Sequence, residues 1–309
     1  MAAADPKPEN MLGELSRSVQ ASFDGASDDR FRTVLQALVR HLHAFVGEVG
    51  LTEAEWALGI DFLTRTGQLS GPARQEFILL SDVLGVSMAT VGANHPGRDA
   101  GVTESTVLGP FFVEGSPRAE LGADIAGVAS GEPCYVAGTV RGTDGSPVPG
   151  ARIELWESDE DGYYDVQYEG GPVANRAHLF TDAEGGYRFW SVRPAPYPIP
   201  HDGPVGELLT AAGRGPMRPA HIHFLVTAPG YRTLTTHVFA AGDPHLGSDA
   251  VFGVKDSLVV EFRRQPAGHG PEGRRLTAPW WRLDFDIVLA DSGPVHHGPF
   301  HHGPAGAAG

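Results

Sequence analysis

Cysteine is almost absent from this chain: Cys134 is the only one among 309 residues. That excludes an internal disulfide framework and any cluster of cysteine ligands for a metal, and it suits a reducing compartment. Basic charge is scarce as well. Lys and Arg number 23 against 38 Asp and Glu, a formal charge of -15. A phosphate backbone would be repelled, and no basic run forms a patch that would reverse this, so nucleic acid is not an expected partner. Long apolar runs are also missing. The opening MAAADPKPENMLGELSRSVQASFDGASDDR has no apolar block suited to a signal peptide. No later stretch approaches the roughly 18 uncharged apolar residues of a membrane span. The expectation is a cytoplasmic protein. What remains, 41% hydrophobic and 20% charged residues, is the balance of a globular chain with a sizeable core, in one large domain or two smaller ones.

From Asn10 to about Asn94 apolar residues recur at helical spacing, as in Phe31, Val34, Leu35, Leu38, Leu42 and Phe45. Thr52 followed by Glu55 is a capping-box signature, and Gly47, Gly50 and Gly71 punctuate the segments, giving three or four helices. After Gly101 glycine and proline become frequent, and short segments rich in Val, Ile, Tyr, Phe and Trp alternate with turns. The strand candidates are ARIELW, AHLFT, YRFWSV, AHIHFLVTA, LTTHVFA, SLVVEF and WRLDFDIVL, with turns at SDEDG, DAEGG and APGY. The pattern predicts a mainly β chain: a helical domain over 1–100, a two-sheet β-sandwich over 101–290, and a loose His-, Gly- and Pro-rich tail over 291–309. The acidic WESDED run reads as a solvated turn.

In AHIHFLVTA a period of two puts His221 and His223 on one face of a strand, with Ile222, Phe224 and Val226 on the other. Such a pair is either two hydrogen-bonded histidines on a solvated face or two adjacent metal ligands. An iron(II) or zinc site with two histidines and a carboxylate would take Asp243 as its nearest downstream acid. Two tyrosines in unusual contexts favour a different set. Tyr197 stands between Pro196 and Pro198, on a backbone held extended, and Tyr164 follows a turn built from Asp161 and Gly162. A phenol titrates near pH ~10, so keeping two tyrosines ionised at neutral pH needs a strongly Lewis-acidic ion such as iron(III). For any single tyrosine, packing remains the alternative role.

TESTVLGPFFVEGSP from Thr103, G-x-V-x-x-x-x-G-x-P-V-P-G-A-x-I-E-L-W from Gly138, G-Y-Y, PYPIPHDGP and RPAHIHF occur in one order, from about Gly101 to Phe262. In this the chain resembles the intradiol ring-cleavage dioxygenases, which open catechols between the two hydroxylated carbons. The helical region looks like the dimerising domain of the catechol and hydroxyquinol branches. Where catechol branches tend to read W-H-A-N-T before the first tyrosine, this chain reads WESDEDGYYDVQY, which looks like the hydroxyquinol branch.

The resemblance implies one ferric ion per subunit, held by Tyr164, Tyr197, His221 and His223; Tyr164 is preferred to Tyr163 because the family pattern is G-x-Y from Gly162. It implies that Tyr197 leaves the ion to act as general base and that Arg218 holds and polarises the ring; an ion pair at a strand start is Arg218's plainer role. His237, where catechol enzymes tend to have glutamine, is implied as a supporting catalytic group. The implied pocket comprises Leu79 (or its neighbour Leu80) and Asp82, which share a helix face, then Val107, Leu108, Gly109, Pro110, Phe111, Ile199, Pro200, Arg218 and Val251. Asp82 would accept a hydrogen bond from a third ring hydroxyl. The implied reaction inserts both atoms of dioxygen into hydroxyquinol, giving 3-hydroxy-cis,cis-muconate, with catechol or chlorocatechol cleavage as the alternative. A homodimer through the N-terminal helices, with a phospholipid in its groove, is implied too. The rivals are a two-histidine carboxylate enzyme, which would be colourless, and a non-catalytic β-sandwich binding module.

Overall fold

The computed structural model describes residues 8–71, 74–95, 101–168 and 170–292. The tail expected from 291 lies, from 293 onward, outside the described residues. The chain forms two compact units, one up to Thr64 and one from Arg65 onward.

The first unit contains α1 (Pro8–Ala21), α2 (Asp29–Val49) and the start of α3 (Glu53–Leu69). Asp28 caps α2 by accepting the Phe31 N–H at 2.7 Å, and Gly50, in the left-handed region, ends it. The expected capping box is present: Glu55 accepts the Thr52 N–H at 2.9 Å and Thr52 Oγ1 accepts the Glu55 N–H at 3.2 Å. Gln36 of α2 donates to Gln20 O of α1 (3.0 Å) and to Asp24 (2.9 Å), tying the two helices together. None of the α2 residues is buried, and Phe31, Leu38, Leu42, Phe45 and Val49 are exposed along one stripe.

In the second unit α4 (Glu76–Val83) and α5 (Val86–Asn94) follow. The described helices before the sheets therefore number five, not three or four. Gly85, at φ 72°, separates α4 from α5, and the two helices are bent by 75°. No single described helix is long and apolar enough to cross a membrane.

Two five-stranded sheets enclose the core. The first is β1 (Pro133–Gly142), flanked by β4 (Gly186–Val192) on one side and by β13 (Trp280–Asp284) and β14 (Ile287–Leu289) on the other, with β10 (Arg263–Gln265) beyond β13. The second runs β3 (Arg176–Phe180), β2 (Arg152–Glu157), β7 (His221–Thr227), β8 (Leu234–Ala240), β9 (Val259–Val260). Two small ribbons complete the set: β5 (Tyr197–Pro198) with β6 (Met217–Arg218), and β11 (Gly268–His269) with β12 (Arg275–Leu276). A short helix α6 (Pro204–Ala211) precedes β6. Val136, Val140, Ile153, Leu155, Phe189, Ile222, Phe224, Val226 and Val238 are among the residues of the core. This is the expected sandwich.

Three strand expectations need correction. β1 was not among the candidates, because Gly138, Thr139, Arg141 and Gly142 interrupt its apolar pattern. WRLDFDIVL is two strands. Its chain breaks pairing at Phe285, whose carbonyl oxygen would lie 1.8 Å from a Cβ on Gly138, so only glycine permits the crossing there. SLVVEF forms a 3-10 turn and the two-residue β9.

Candidate metal centre and active site

The site is built on β7. Ile222, Phe224 and Val226 enter the core, while His221 and His223 take the opposite face, as the two-residue period requires. That face is not solvated: each imidazole is 1% exposed. Tyr164 and Tyr197 cover it, with Phe111 packed on both tyrosines, and Trp156 of the adjacent β2, paired in register with His223, stacks on its ring at 4.5 Å.

The tyrosines arrive from separate segments. Tyr197, in β5, pairs with Arg218 of β6; its flanking prolines keep the ribbon extended. Tyr164 follows a turn in which Asp159 accepts the N–H groups of Asp161 and Tyr163, both at 3.0 Å, and the Tyr168 hydroxyl at 2.6 Å. Gly162 has φ 82° in that turn, and a Cβ there would stand 2.8 Å from Tyr197 Cβ, so glycine lets the two tyrosine segments meet. Tyr163 is 51% exposed and packs on Tyr168, whereas Tyr164 is 1% exposed and stacks on Phe111 at 4.6 Å. The WESDED run is solvated only in part: Glu160 and Asp161 are exposed, whereas Glu157, Ser158 and Asp159 are buried, with Asp159 closing this turn, Glu157 accepting from Ser191 and Ser158 donating to Ala195 O.

Four donor atoms converge. Tyr164 Oη lies 3.0 Å from His223 Nε2, 3.2 Å from Tyr197 Oη and 3.4 Å from His221 Nε2, and the two histidine Nε2 atoms are 3.1 Å apart. Donors about 2.1 Å from one first-row metal ion stand roughly 3.0–3.4 Å from each other, so the spacing fits a shared ion. His221 Nδ1 donates to Pro219 O at 2.7 Å, which leaves the Nε2 lone pair facing the cluster. Burial, then the charge of Arg218, lowers His221 to about 3; burial, then the neighbouring His237, holds His223 far below the usual range. Both are neutral imidazoles, the form that ligates. Burial, then Tyr197, pushes the Tyr164 phenol well above its usual range. A cation among these atoms is what would reverse that shift.

His237, in register with His223, joins the pair to form a three-histidine group with ligating atoms within 4.8 Å. Its Nδ1 faces Arg218 Nη2 at 3.4 Å, so that nitrogen is already engaged by a cation. Asp243 stays out of this group: it accepts the N–H of Ala220 (2.9 Å) and of His245 (2.8 Å) in a turn. Arg218 is buried, with Nη1 3.2 Å from His221 Nε2 and Nε donating to Asp249 Oδ1 at 3.1 Å. Burial raises the Asp249 carboxyl, but the charge and hydrogen bond of Arg218 outweigh it and leave the group below its usual value.

A second buried ion pair stands behind Tyr164. Arg176 and Asp165 are 4% and 5% exposed, joined through Arg176 Nε and Nη2, and Nη2 also donates to Phe111 O at 2.9 Å. One guanidinium thus holds both the residue after Tyr164 and the backbone of the phenylalanine stacked on it.

Of the expected pocket residues, Leu79, Val107, Ile199 and Val251 form one buried cluster with Val83, Val205, Leu209 and Ala250, and Leu80 packs against it. Asp82 is buried beside Ser87 and within the field of Arg218; burial raises its carboxyl. Gly109 backs onto the His223 ring. Pro200 is half-buried, and Leu108 and Pro110 are exposed, outside the cluster. Reasoning from sequence missed Trp156, Arg176, Asp165 and Asp249 as site residues. Each acts through a partner distant in the chain, and none carries a local signal.

The family model described as "Dioxygenase" matches residues 107–291, and that described as "Catechol dioxygenase N terminus" matches residues 28–101. A hydroxyquinol 1,2-dioxygenase of Nocardioides simplex is 61% identical over 278 residues, 90% of this chain and 94% of that one. One from Rhodococcus opacus is 59% identical over 276 residues, 88% and 92% of the two chains. The solved structure of hydroxyquinol 1,2-dioxygenase from Pseudomonas putida DLL-E4 superposes with a TM-score of 0.85 at 44% identity, covering 92% of this chain and 100% of that one. The chain belongs to the intradiol ring-cleavage dioxygenase family.

Proposed function

We propose that the protein is a ferric intradiol dioxygenase that cleaves hydroxyquinol between its two adjacent hydroxylated carbons and yields 3-hydroxy-cis,cis-muconate. The observation that carries the reading is the dry convergence of Tyr164, Tyr197, His221 and His223 beside the buried cation Arg218. Two neutral imidazoles and two phenols, once a cation has ionised the phenols, make a donor set with two hard phenolate oxygens, suited to iron(III). Bound there, iron would supply the Lewis acidity that keeps phenols and substrate ionised and the redox partner that activates the ring toward dioxygen.

The protein's own share is positional and protonic. With iron bound, Tyr197, on its Pro-flanked ribbon, would be the donor that gives way to the substrate and takes up a proton at Oη. Arg218 stays protonated at any working pH, since Asp249 and the tyrosines outweigh the cost of its burial, so its Nη1 can stabilise negative charge as it develops on the ring oxygens. His237 supports Arg218. In this reading the buried cluster of Leu79, Val107, Ile199 and Val251 walls the ring in, and the buried Asp82 accepts from a third hydroxyl, which would favour a triol over a diol. The names of the relatives point the same way.

The exposed apolar stripe of α2 supports a homodimer through the N-terminal helices, with an acyl chain of a phospholipid in the same surface. The buried, unpaired thiol of Cys134 suits the cytoplasm.

The test is the visible spectrum of the purified protein without oxygen, before and after adding hydroxyquinol, then product identification once oxygen is admitted. A red-brown tyrosinate band that shifts with substrate and a 3-hydroxymuconate or maleylacetate product are expected, with the band lost or displaced in Tyr164→Phe. Turnover of catechol alone would move the substrate to catechol, and a colourless iron-loaded protein would end the two-tyrosinate reading.

A further inference from the structure

We propose that Asp249 is a positioning residue for Arg218, setting its guanidinium so that one amino group is left facing the donor cluster. The inference rests on the ferric ring-cleavage reading above.

Arg218 presents three nitrogen corners. Nε donates to Asp249 Oδ1 at 3.1 Å and Nη2 faces His237 Nδ1 at 3.4 Å, which leaves Nη1 directed at the cluster, 3.2 Å from His221 Nε2. A guanidinium is planar, so holding two corners fixes the third. Asp249 is itself held: it accepts the Gly253 N–H at 2.9 Å and the Val251 N–H at 3.3 Å. This small loop places Phe252 at φ 59°, a conformation disfavoured for a bulky side chain and kept only where the surroundings impose it. Arg214 braces the loop here. Its guanidinium lies 4.6 Å over the Phe252 ring and donates to Ala250 O at 3.0 Å and to Val83 O at 2.6 Å, tying the loop to the end of α4.

The Arg218 and Asp249 side chains are 3% and 2% exposed. A buried pair of this kind gains little stability over apolar packing, which leaves orientation as what it supplies. Gly253 belongs to the same bracket, since a Cβ there would stand 3.1 Å from Arg218 Nη2 and 3.2 Å from Asp249 Oδ2.

The experiment compares iron-loaded wild type, Asp249→Asn, Gly253→Ala, Arg218→Lys and the Arg218→Lys/Asp249→Asn double variant. Each is assayed for kcat and KM per bound iron with hydroxyquinol, and titrated with hydroxyquinol without oxygen while the visible spectrum is recorded. Asp249→Asn should keep the resting band, because the four donors are untouched, yet lose about 10- to 100-fold in kcat/KM. Gly253→Ala should move in the same direction by less. With Lys at 218, Asp249→Asn should add less than about threefold, because it acts only through the arginine. Loss of stability alone would lower iron content or folded fraction without this non-additivity. An undiminished effect in the Lys background, or wild-type kcat/KM in both Asp249→Asn and Gly253→Ala, would overturn the proposal. Should Asp249→Asn not fold, Gly253→Ala, alone and combined with Arg218→Lys, carries the same cycle. A wild-type protein with neither visible band nor ring cleavage would instead overturn the ferric reading.

Discussion

Replacing Arg176 with methionine would leave Asp165 as a nearly buried carboxylate without its cation. The side chain is 5% exposed, and its remaining partners are the Val166 N–H at 2.9 Å and the Ala174 N–H at 3.4 Å. Breaking a buried pair in this way costs about 3–5 kcal/mol, most of it the uncompensated charge. For a unit of this size each kcal/mol lowers the midpoint by roughly 2–4 °C, so Arg176→Met should melt roughly 6–20 °C below wild type. Adding Asp165→Leu removes the orphaned charge and should recover most of the loss. The assay is thermal unfolding by near-ultraviolet circular dichroism at fixed iron, with the visible spectrum recorded alongside. The spectrum should move in the single variant, because Arg176 holds both Asp165 and the Phe111 carbonyl on either side of Tyr164. A single variant within about 1 kcal/mol of wild type would refute the account, as would a double variant no better than the single.

Gly162→Ala should cost roughly 2–5 kcal/mol, from the left-handed backbone plus the 2.8 Å approach to Tyr197 Cβ, and should lower iron affinity; a urea midpoint close to wild type would show that the turn can yield. Glu157 gives a pH prediction. Burial lifts its carboxyl from 4.5 to about 8 against the lowering hydrogen bond from Ser191. Between about pH 4.5 and 8 the folded form therefore holds a proton that the unfolded form has released. Stability from this group is complete below pH ~4.5 and falls by a few kcal/mol as pH rises to about 8. Glu157→Gln should flatten that slope, and an unchanged pH profile in the variant would exclude Glu157 as its source.

Much of the site was legible because its chemistry is local in sequence. A two-residue alternation placed His221 and His223 opposite Ile222 and Phe224, and the proline run around Tyr197 and the turn before Tyr164 marked two tyrosines as unlike ordinary core. What stayed hidden depends on pairing across the fold. β1 lies at the centre of its sheet, yet its Gly138 breaks the apolar pattern for the sake of a crossing that only Phe285 explains. WESDED reads as a hydrated run until the Asp159 carboxylate is found closing the turn behind Tyr164. Asp249 and Arg176 answer to Arg218 and Asp165, at separations where periodicity carries no information.

The two faces of β7 have a consequence for how the centre comes into being. Because His221 and His223 alternate with core residues, a slip of one position would drive imidazoles into the sandwich and aliphatic groups out of it, so correct strand register and delivery of the two histidines are one event. Tyr164 and Tyr197 come from segments laid over that strand, with no such obligation to the core. Half of the donor set is thus inherited from folding, and the other half is gathered over it, which makes an ion that joins them the clasp between scaffold and cover.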